Sequence, residues 1–296
     1  MATLNYAQAY SQALAQAYPY VLNFGKLYNV ENDTRYKWSG ADTIKIPSIS
    51  TTGRVDANRD TIAVAQRNYD NAWETKQLSN QRKWSTLVHP MDVDQTNYVA
   101  SIQNITKVYN EEQKFPEMDA YLISKIYSDW AALSKTADTT KLTTANILGI
   151  FDELMLAMDE ARVPANGRIL YVDNATKKLL KNADVLNRNF DVQKGGNNID
   201  RNISRIEEVE IIGVPSTLMQ TAYDFTSGWK KGATAKAIHM FLVHPSAIIT
   251  PVSYQFSQLD PPSAGSEGKY VYYEESFEDV FILNKKADAI QFVIEE

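Results

Sequence analysis

The residues able to perform acid–base, nucleophilic or metal chemistry are few and widely spaced in this sequence. The three histidines are His89, His239 and His244. The spacing of His239 and His244 does not place both imidazoles on one face of a helix, so it does not predict a metal site. Cysteine is absent, which excludes thiolate ligands, cysteine nucleophiles and disulfides.

Carboxylate pairs and glycine-rich segments also lack the pattern of a catalytic site. Adjacent carboxylates such as Glu111 and Glu112 point about 100° apart on a helix and to opposite faces on a strand. Only Asp92 and Asp94 could share a side, and we interpret them as the entry to the following helix. No phosphate-binding, dinucleotide-binding or nucleophile-elbow motif occurs. The sequence therefore predicts no catalytic residue, no metal site and no cofactor.

Length and charge narrow the class of protein. The chain has 296 residues and a formal net charge of −6. Proteins that coat nucleic acid need basic surfaces, so an acidic chain argues against tight DNA binding. The basic cluster around Trp229, Lys230 and Lys231 is too small to change that, and we interpret it as a solvated loop. Apolar runs are short, which predicts no membrane span and no signal peptide.

Helices and strands are predicted in blocks, which indicates an α+β fold and not a regular βαβ alternation. The long helical region carries Pro116, which predicts either two helices or one kinked helix. Predicted helices cover about 4–18, 95–135, 144–163 and 174–183. Predicted strands cover about 43–50, 73–88, 168–172, 209–214 and 270–273, followed by a terminal hairpin of 280–283 and 290–294.

Aromatic residues are concentrated at the start of the chain, where eight of 32 lie in the first forty residues. Tyr6, Tyr10 and Tyr18 recur at helical spacing, and Phe24 follows Pro19. Tyrosine buries a large area while it keeps a polar atom, which suits a surface that docks on another protein. The alternative is an ordinary first helix that packs on its own core.

A polar excursion of some twenty residues, from Thr51 to Asn71, separates two predicted strands. It is too long for a compact hairpin, so we expect it to project from the body. Residues 39–90 hold seven basic and five acidic side chains, whereas residues 247–296 hold three and nine. A basic projection and an acidic body could meet between copies of the chain. Unrelated solvated faces explain the same charges.

Five stretches, taken in order, resemble the major capsid proteins of tailed bacteriophages of the Hong Kong 97 type, particularly those of phages of Gram-positive bacteria. They are HPMDVDQTN at 89–97, NEEQKFPEMDAYLISKIY at 110–127, GRILYVDNATKKLLKNA at 167–183, IIGVPSTLM at 211–219 and EDVFILNKKADAIQF at 278–292.

The resemblance implies a fold with four parts. These are an N-terminal arm at 1–38, an extended β-hairpin loop at 39–88, a peripheral domain with a spine helix at 89–143 and 268–296, and an axial domain at 144–267. It implies a non-enzymatic shell subunit that forms hexamers and pentamers of an icosahedral or prolate head around double-stranded DNA, which is enclosed but not tightly bound. Related alternatives are an encapsulin-like compartment and another phage structural protein from the tail or head completion.

The resemblance also implies partners and contacts. The main partner is the chain itself, with a separate scaffolding protein, a portal and head-completion proteins, in a virion assembled in the host cytoplasm. Truncation of residues 1–24 is expected to impair assembly more than folding. The residues expected at intersubunit contacts are Tyr6, Tyr10, Tyr18, Phe24, Arg54, Arg59, Arg67 and Trp73.

Overall fold

The computed structural model describes residues 21–28, 36–56, 67–96, 100–183 and 204–296. The predicted helix at 4–18 lies outside these residues, as do Tyr6, Tyr10, Tyr18 and Arg59. The described helices are α1 (Pro90–Gln95), α2 (Ile102–Tyr109), α3 (Phe115–Ala132), α4 (Ile147–Glu160) and α5 (Asn174–Lys181).

Strands make up about a third of the residues that the structure describes. They are β1 (Lys37–Trp38), β2 (Thr43–Thr51), β3 (Tyr69–Gln77), β4 (Gln81–Val88), β5 (Ile169–Asp173), β6 (Arg205–Ile206), β7 (Val209–Val214), β8 (Tyr223–Asp224), β9 (Lys230–Lys231), β10 (Ile238–Val243), β11 (Ile248–Ile249), β12 (Val252–Asp260), β13 (Tyr270–Glu278), β14 (Phe281–Ile282) and β15 (Ile290–Ile294). The mixture confirms the predicted α+β class.

A five-stranded sheet in the order β15-β10-β5-β7-β6 forms the centre of the molecule. Its central strands are almost continuously apolar because both faces are covered. Leu122, Ile126 and Trp130 of α3 pack on one face with Tyr171. The helix α4 packs on the other face together with Leu170. Successive strand residues point to opposite faces, so Leu170 and Tyr171 belong to different core layers.

The long helical region is one helical path with an irregular turn. Of the two predicted alternatives, two helices or one kinked helix, it corresponds to the single helix. The helix α2 continues through a π-helical turn at Asn110–Lys114 into α3. Pro116 lies in the first turn of α3, directly after the π-helical turn. The irregularity therefore precedes the proline.

A second sheet in the order β12-β13-β4 packs one face on this helix. Trp84 stacks on Tyr109 with ring centres 3.8 Å apart. Arg82 pairs with Glu117 at 2.6 Å. These contacts join β4 to the helical path, so the helix is held between the two sheets.

Strand pairing corrects several predicted boundaries. The terminal hairpin is wrong, because β14 pairs with β11 and β15 pairs with β10. The predicted break at 267 falls inside a hairpin in which β12 pairs with β13. The predicted extended loop ends too late, because β4 pairs with β13 and not with β2. In each case the partner strand is distant in sequence or follows a long turn, and spacing alone does not reveal it.

The start of α5 contains a pH-sensitive contact. Asp173 caps the helix by accepting the Thr176 N–H at 2.6 Å, and its second oxygen lies 3.3 Å from His239 Nδ1. This hydrogen bond raises the pKa of His239 above its usual value. Burial alone would raise the pKa of Asp173, but the hydrogen bonds from His239 and Thr176 lower it.

The free energy of unfolding should therefore depend on pH through this pair. The contribution of protonated His239 is complete below its unfolded pKa of about 6.5 and is lost as pH rises through the higher folded value. That of Asp173 is present above its unfolded pKa of about 3.9 and is lost as pH falls through the lowered folded value. His239→Gln should flatten the decline in the urea-measured free energy of unfolding as pH rises above about 6.5, and His89→Gln should not. An unchanged slope in His239→Gln would contradict the assignment.

Candidate intersubunit surfaces

The hairpin of β2 and β3 has a buried base and an exposed distal half. The strands pair from Thr43 opposite Gln77 to Thr51 opposite Tyr69. At the base, Ile44 and Ile46 pack in a small core with Leu78, Ile249 and Phe281. Lys285 Nζ donates to the Ile49 carbonyl at 2.9 Å, and Lys76 Nζ donates to Asn284 Oδ1 at 2.9 Å. The body therefore holds the base, and the rest of the hairpin extends beyond it.

Four apolar residues share one exposed face of this hairpin, and we call Pro47, Ile49, Tyr69 and Trp73 the hairpin stripe. Pro47 lies opposite Trp73 and Thr51 opposite Tyr69, and directly paired residues of antiparallel strands point to the same face. The side chains of Ile49 and Trp73 are 66% and 50% exposed. A large apolar surface on a projecting element is a feature of interaction sites.

The predicted hairpin residues have different surroundings. The Arg67 guanidinium lies 4.8 Å from the centre of the Tyr69 ring, a distance typical of a cation–π contact. Arg54 is exposed beyond the last paired residues. Trp73 lies on the hairpin stripe, and Arg59 is outside the described residues. The structure thus places Arg54, Arg67 and Trp73 on one projecting element.

A second exposed apolar surface lies on the β12-β13-β4 sheet, on the face turned away from the helix. Its residues are Tyr254, Phe256, Tyr273 and Leu87, which we call the aromatic sheet face. Phe256 lies with its ring centre 6.4 Å from that of Tyr254 and 6.2 Å from that of Tyr273. Leu87 is 61% exposed.

The sequence contained part of the signal for this surface. The stretch VSYQFSQLD alternates apolar and polar residues, which is typical of a strand with one apolar face. It does not reveal whether that face is buried. The structure shows that the helical path covers the opposite face of the sheet, and so Tyr254 and Phe256 remain exposed. The predicted contact residues that the structure describes, Phe24, Arg54, Arg67 and Trp73, lie elsewhere.

The interior of the same region contains a polar cavity of about 200 Å³ between the helical path and the sheet. Its charged groups pair with one another. Lys114 lies 3.2 Å from Glu274, and the Tyr121 hydroxyl donates to Asp279 at 2.8 Å. Burial raises the pKa of Tyr121 and of Glu278. These contacts tie the helical path to the sheet.

The segment 21–28, which we call the arm root, is part of the body. Phe24 and Leu27 are fully buried, and the Phe24 ring centre lies 4.8 Å from that of Tyr171. Asp119 on α3 accepts hydrogen bonds from the arm root. This corrects the prediction that Phe24 contacts a neighbouring subunit, because its ring fills a core between α3 and the central sheet. The predicted effect of truncating residues 1–24 is corrected for the same reason.

The three histidines lie in separate places. His89 caps α1, His239 contacts Asp173, and His244 Nδ1 accepts the Ser246 N–H at 3.2 Å. Within the described residues, no group of three or more histidines and carboxylates is arranged to hold a metal ion. No described helix is long and apolar enough to cross a membrane.

Comparison with known proteins gives a clear result for structure only. No protein-family model matches the chain, and no curated protein matches its sequence. The capsid structure of the cyanophage P-SCSP1u aligns with a TM-score of 0.71 at 12% identity, over 98% of this chain and 93% of that one.

Two further structures align over nearly the whole length of both chains. A structure of Mycobacterium phage Che8 has a TM-score of 0.67 at 13% identity, over 99% of this chain and 98% of that chain. The mature capsid of bacteriophage PhiM1 has a TM-score of 0.62 at 11% identity, over 100% and 92%. The class is therefore defined by fold, and the chain has the fold of tailed-phage major capsid proteins. This confirms the predicted Hong Kong 97-type fold.

Proposed function

We propose that the chain is the major head protein of a tailed phage, and that many copies form a closed shell around double-stranded DNA. The observation that carries the proposal is the hairpin stripe, an apolar surface on an element that projects from a body with this fold. Burial of the exposed half of a tryptophan contributes on the order of 2–3 kcal/mol. A monomer would leave this area in water, whereas a neighbouring subunit would cover it.

The second candidate contact is the aromatic sheet face. Closure of rings and of a shell links many contacts, so each can be weak and still give a persistent particle. Weak single contacts also let misplaced subunits leave during growth. We propose that the hairpin with Arg54, Arg67 and Trp73, and the residues Tyr6, Tyr10, Tyr18 and Arg59, contact neighbouring copies.

The acidic net charge of the chain agrees with a structural role in which DNA is enclosed and not tightly bound. A shell with a net charge of −6 per subunit holds phosphates weakly, so enclosed DNA can slide during packaging. The particle would be a virion component assembled in the host cytoplasm. A scaffolding protein, a portal and head-completion proteins complete the proposed set of partners.

Electron microscopy of the full chain expressed in bacteria tests the proposal. We expect closed shells or curved fragments with hexameric units, and nuclease-resistant DNA in particles from an infection. A monodisperse monomer at every concentration, alone and with the other head proteins of the same phage, would contradict it. Shells that enclose a protein cargo in place of DNA would favour a compartment.

The aromatic sheet face offers a separate prediction. The double substitution of Tyr254→Ser and Phe256→Ser should leave the melting temperature within a few degrees of the original, because both side chains are at least a third exposed. The yield of shells, measured by sedimentation, should fall about tenfold or more, since two aromatic contacts are lost. The control Leu156→Ser changes a residue of similar exposure on α4. Equal yields in the double variant and the control would remove this surface from the assembly.

A further inference from the structure

A buried carboxylate on α3 binds the arm root. Asp119 lies on α3 and is fully buried. One of its oxygens accepts the Asn23 backbone N–H at 2.8 Å, and the other accepts the Phe24 N–H at 3.2 Å. The Asn23 side-chain amide donates to Asp119 at 3.3 Å. The two oxygens of one carboxylate therefore accept hydrogen bonds from two successive backbone amides.

Other contacts hold the same segment from different sides. The Tyr28 hydroxyl donates to the Met118 carbonyl at 3.0 Å. Lys26 forms an ion pair with Glu210 on β7. Val21, at the beginning of the described segment, is exposed. The body thus holds residues 23–28, and Val21 marks the exposed end of this held segment.

The physical effect of this arrangement is to fix a direction. Hydrogen bonds from backbone N–H groups to an ionised carboxylate are short and strong, and they constrain the peptide planes that donate them. When the carboxylate is removed, the buried N–H groups lose their acceptor. The position and direction of the chain at Val21 therefore help to determine which neighbouring surfaces the preceding residues can reach.

We infer that Asp119 is a positioning residue for assembly, which sets the point and direction at which the N-terminal arm leaves each subunit. This inference rests on the proposed function, because it gives the arm a neighbour to contact. An arm that starts from a fixed point loses less conformational freedom when it binds than one with a loose root. Loss of Asp119 should weaken assembly although the residue is buried within its own subunit.

The test compares Asp119→Asn with Asp129→Asn in the full chain. Both changes replace a carboxylate by an amide on α3, but Asp129 pairs with Lys125 at 3.1 Å and does not contact the arm root. In Asp119→Asn an amide N–H₂ group faces a backbone donor. We expect proteolytic cleavage within 21–28 of the unassembled subunit to become about tenfold faster or more, and shell yield to fall. Asp129→Asn should resemble the original protein in both measurements.

The two measurements separate the hold on the arm root from its effect on assembly. Unchanged protection of 21–28 in Asp119→Asn would show that the carboxylate does not hold the root. Faster cleavage with normal yield and shape of shells would overturn the positioning role. If the original chain forms no shells, alone or with the other head proteins of the same phage, the proposed function fails, while the cleavage rates still decide whether Asp119 holds the root.

A second pair of measurements applies if Asp119→Asn does not fold. Amide hydrogen exchange of the original protein should then show Asn23 and Phe24 as protected as the interior of α3. Asn23→Ala removes the side-chain hydrogen bond to Asp119 but keeps both backbone donors, and it should loosen the root less. Exchange of both amides at the rate of an unstructured chain would overturn the inference.

Discussion

Replacement of residues 53–67 by a two-residue Asn-Gly turn is expected to give a folded subunit that no longer forms shells. The strands of the hairpin are paired up to Thr51 and Tyr69, and the Thr52 N–H donates to the Asn68 carbonyl at 3.0 Å. An Asn-Gly turn closes two antiparallel strands at such a point. The buried base at Ile44 and Ile46 is left intact.

We expect the folded state to change little because the residues of this segment that the structure describes, 53–56 and 67, are all exposed. Val55, the bulky apolar residue of the described part of the tip, is 91% exposed. We expect the same melting temperature within a few degrees and a monomer by analytical ultracentrifugation. Shells of normal size from this variant would refute the role of the tip.

Point variants that keep the hairpin at full length distinguish the contribution of its tip from that of the hairpin stripe. Trp73→Ala and Tyr69→Ala remove the two aromatic rings of the hairpin stripe, and Leu156→Ala removes a comparably exposed side chain from α4. If assembly depends on the stripe, the first two substitutions lower shell yield and the third does not. If all three assemble normally while the shortened hairpin fails, the essential contacts lie in the tip.

The sequence predicted the architecture where local patterns determine it. The strand β5 and the capped helix α5 follow directly from an apolar run and a capping aspartate. The projecting hairpin was predicted from a polar segment too long for a compact turn. These features depend on neighbouring residues, which is why a single sequence reveals them. The resemblance to capsid proteins then supplied the fold type.

The predictions that the structure corrects concern contacts between distant parts of the chain. The strand β15 alternates no more clearly than its neighbours, and its pairing with β10 depends on which strand edge of the central sheet is free. Phe24 was grouped with the aromatic arm because it follows Tyr18 and Tyr20. Its burial depends on a gap between α3 and Tyr171 that only the folded chain contains. Burial is a property of the assembled core, and composition does not report it.

The acidic C-terminal region illustrates the same limit. Its excess of carboxylates suggested a surface for a basic neighbour. The structure pairs Glu274 with Lys114 and Asp288 with Lys135, two lysines from earlier in the chain. Gln81 also donates to Glu275. Part of the acidic charge therefore stabilises the subunit itself, and the charge available to a neighbouring subunit is smaller than the sequence count indicates.

The burial of Phe24 leads to an expected result for two truncations that differ by four residues. Removal of residues 1–20 should leave the subunit folded, because the arm root keeps its contacts. Removal of residues 1–24 should largely unfold it. Loss of a buried phenylalanine costs about 3–5 kcal/mol, and the loss of donors to the buried Asp119 carboxylate adds about 1–3 kcal/mol. Their sum is comparable to the total stability of an ordinary domain.

Urea unfolding followed by circular dichroism measures both effects, and sedimentation measures assembly. The shorter truncation should keep the original unfolding midpoint and lose shells. The longer one should lose most of its native signal before urea is added. Phe24→Ala in the full chain separates the cavity from the loss of chain, and it should shift the midpoint by most of the difference between the truncations. If both truncations unfold at the same urea concentration as the full chain, Phe24 does not belong to the core. The aromatic side chains of the whole arm would then all be available to a neighbouring subunit.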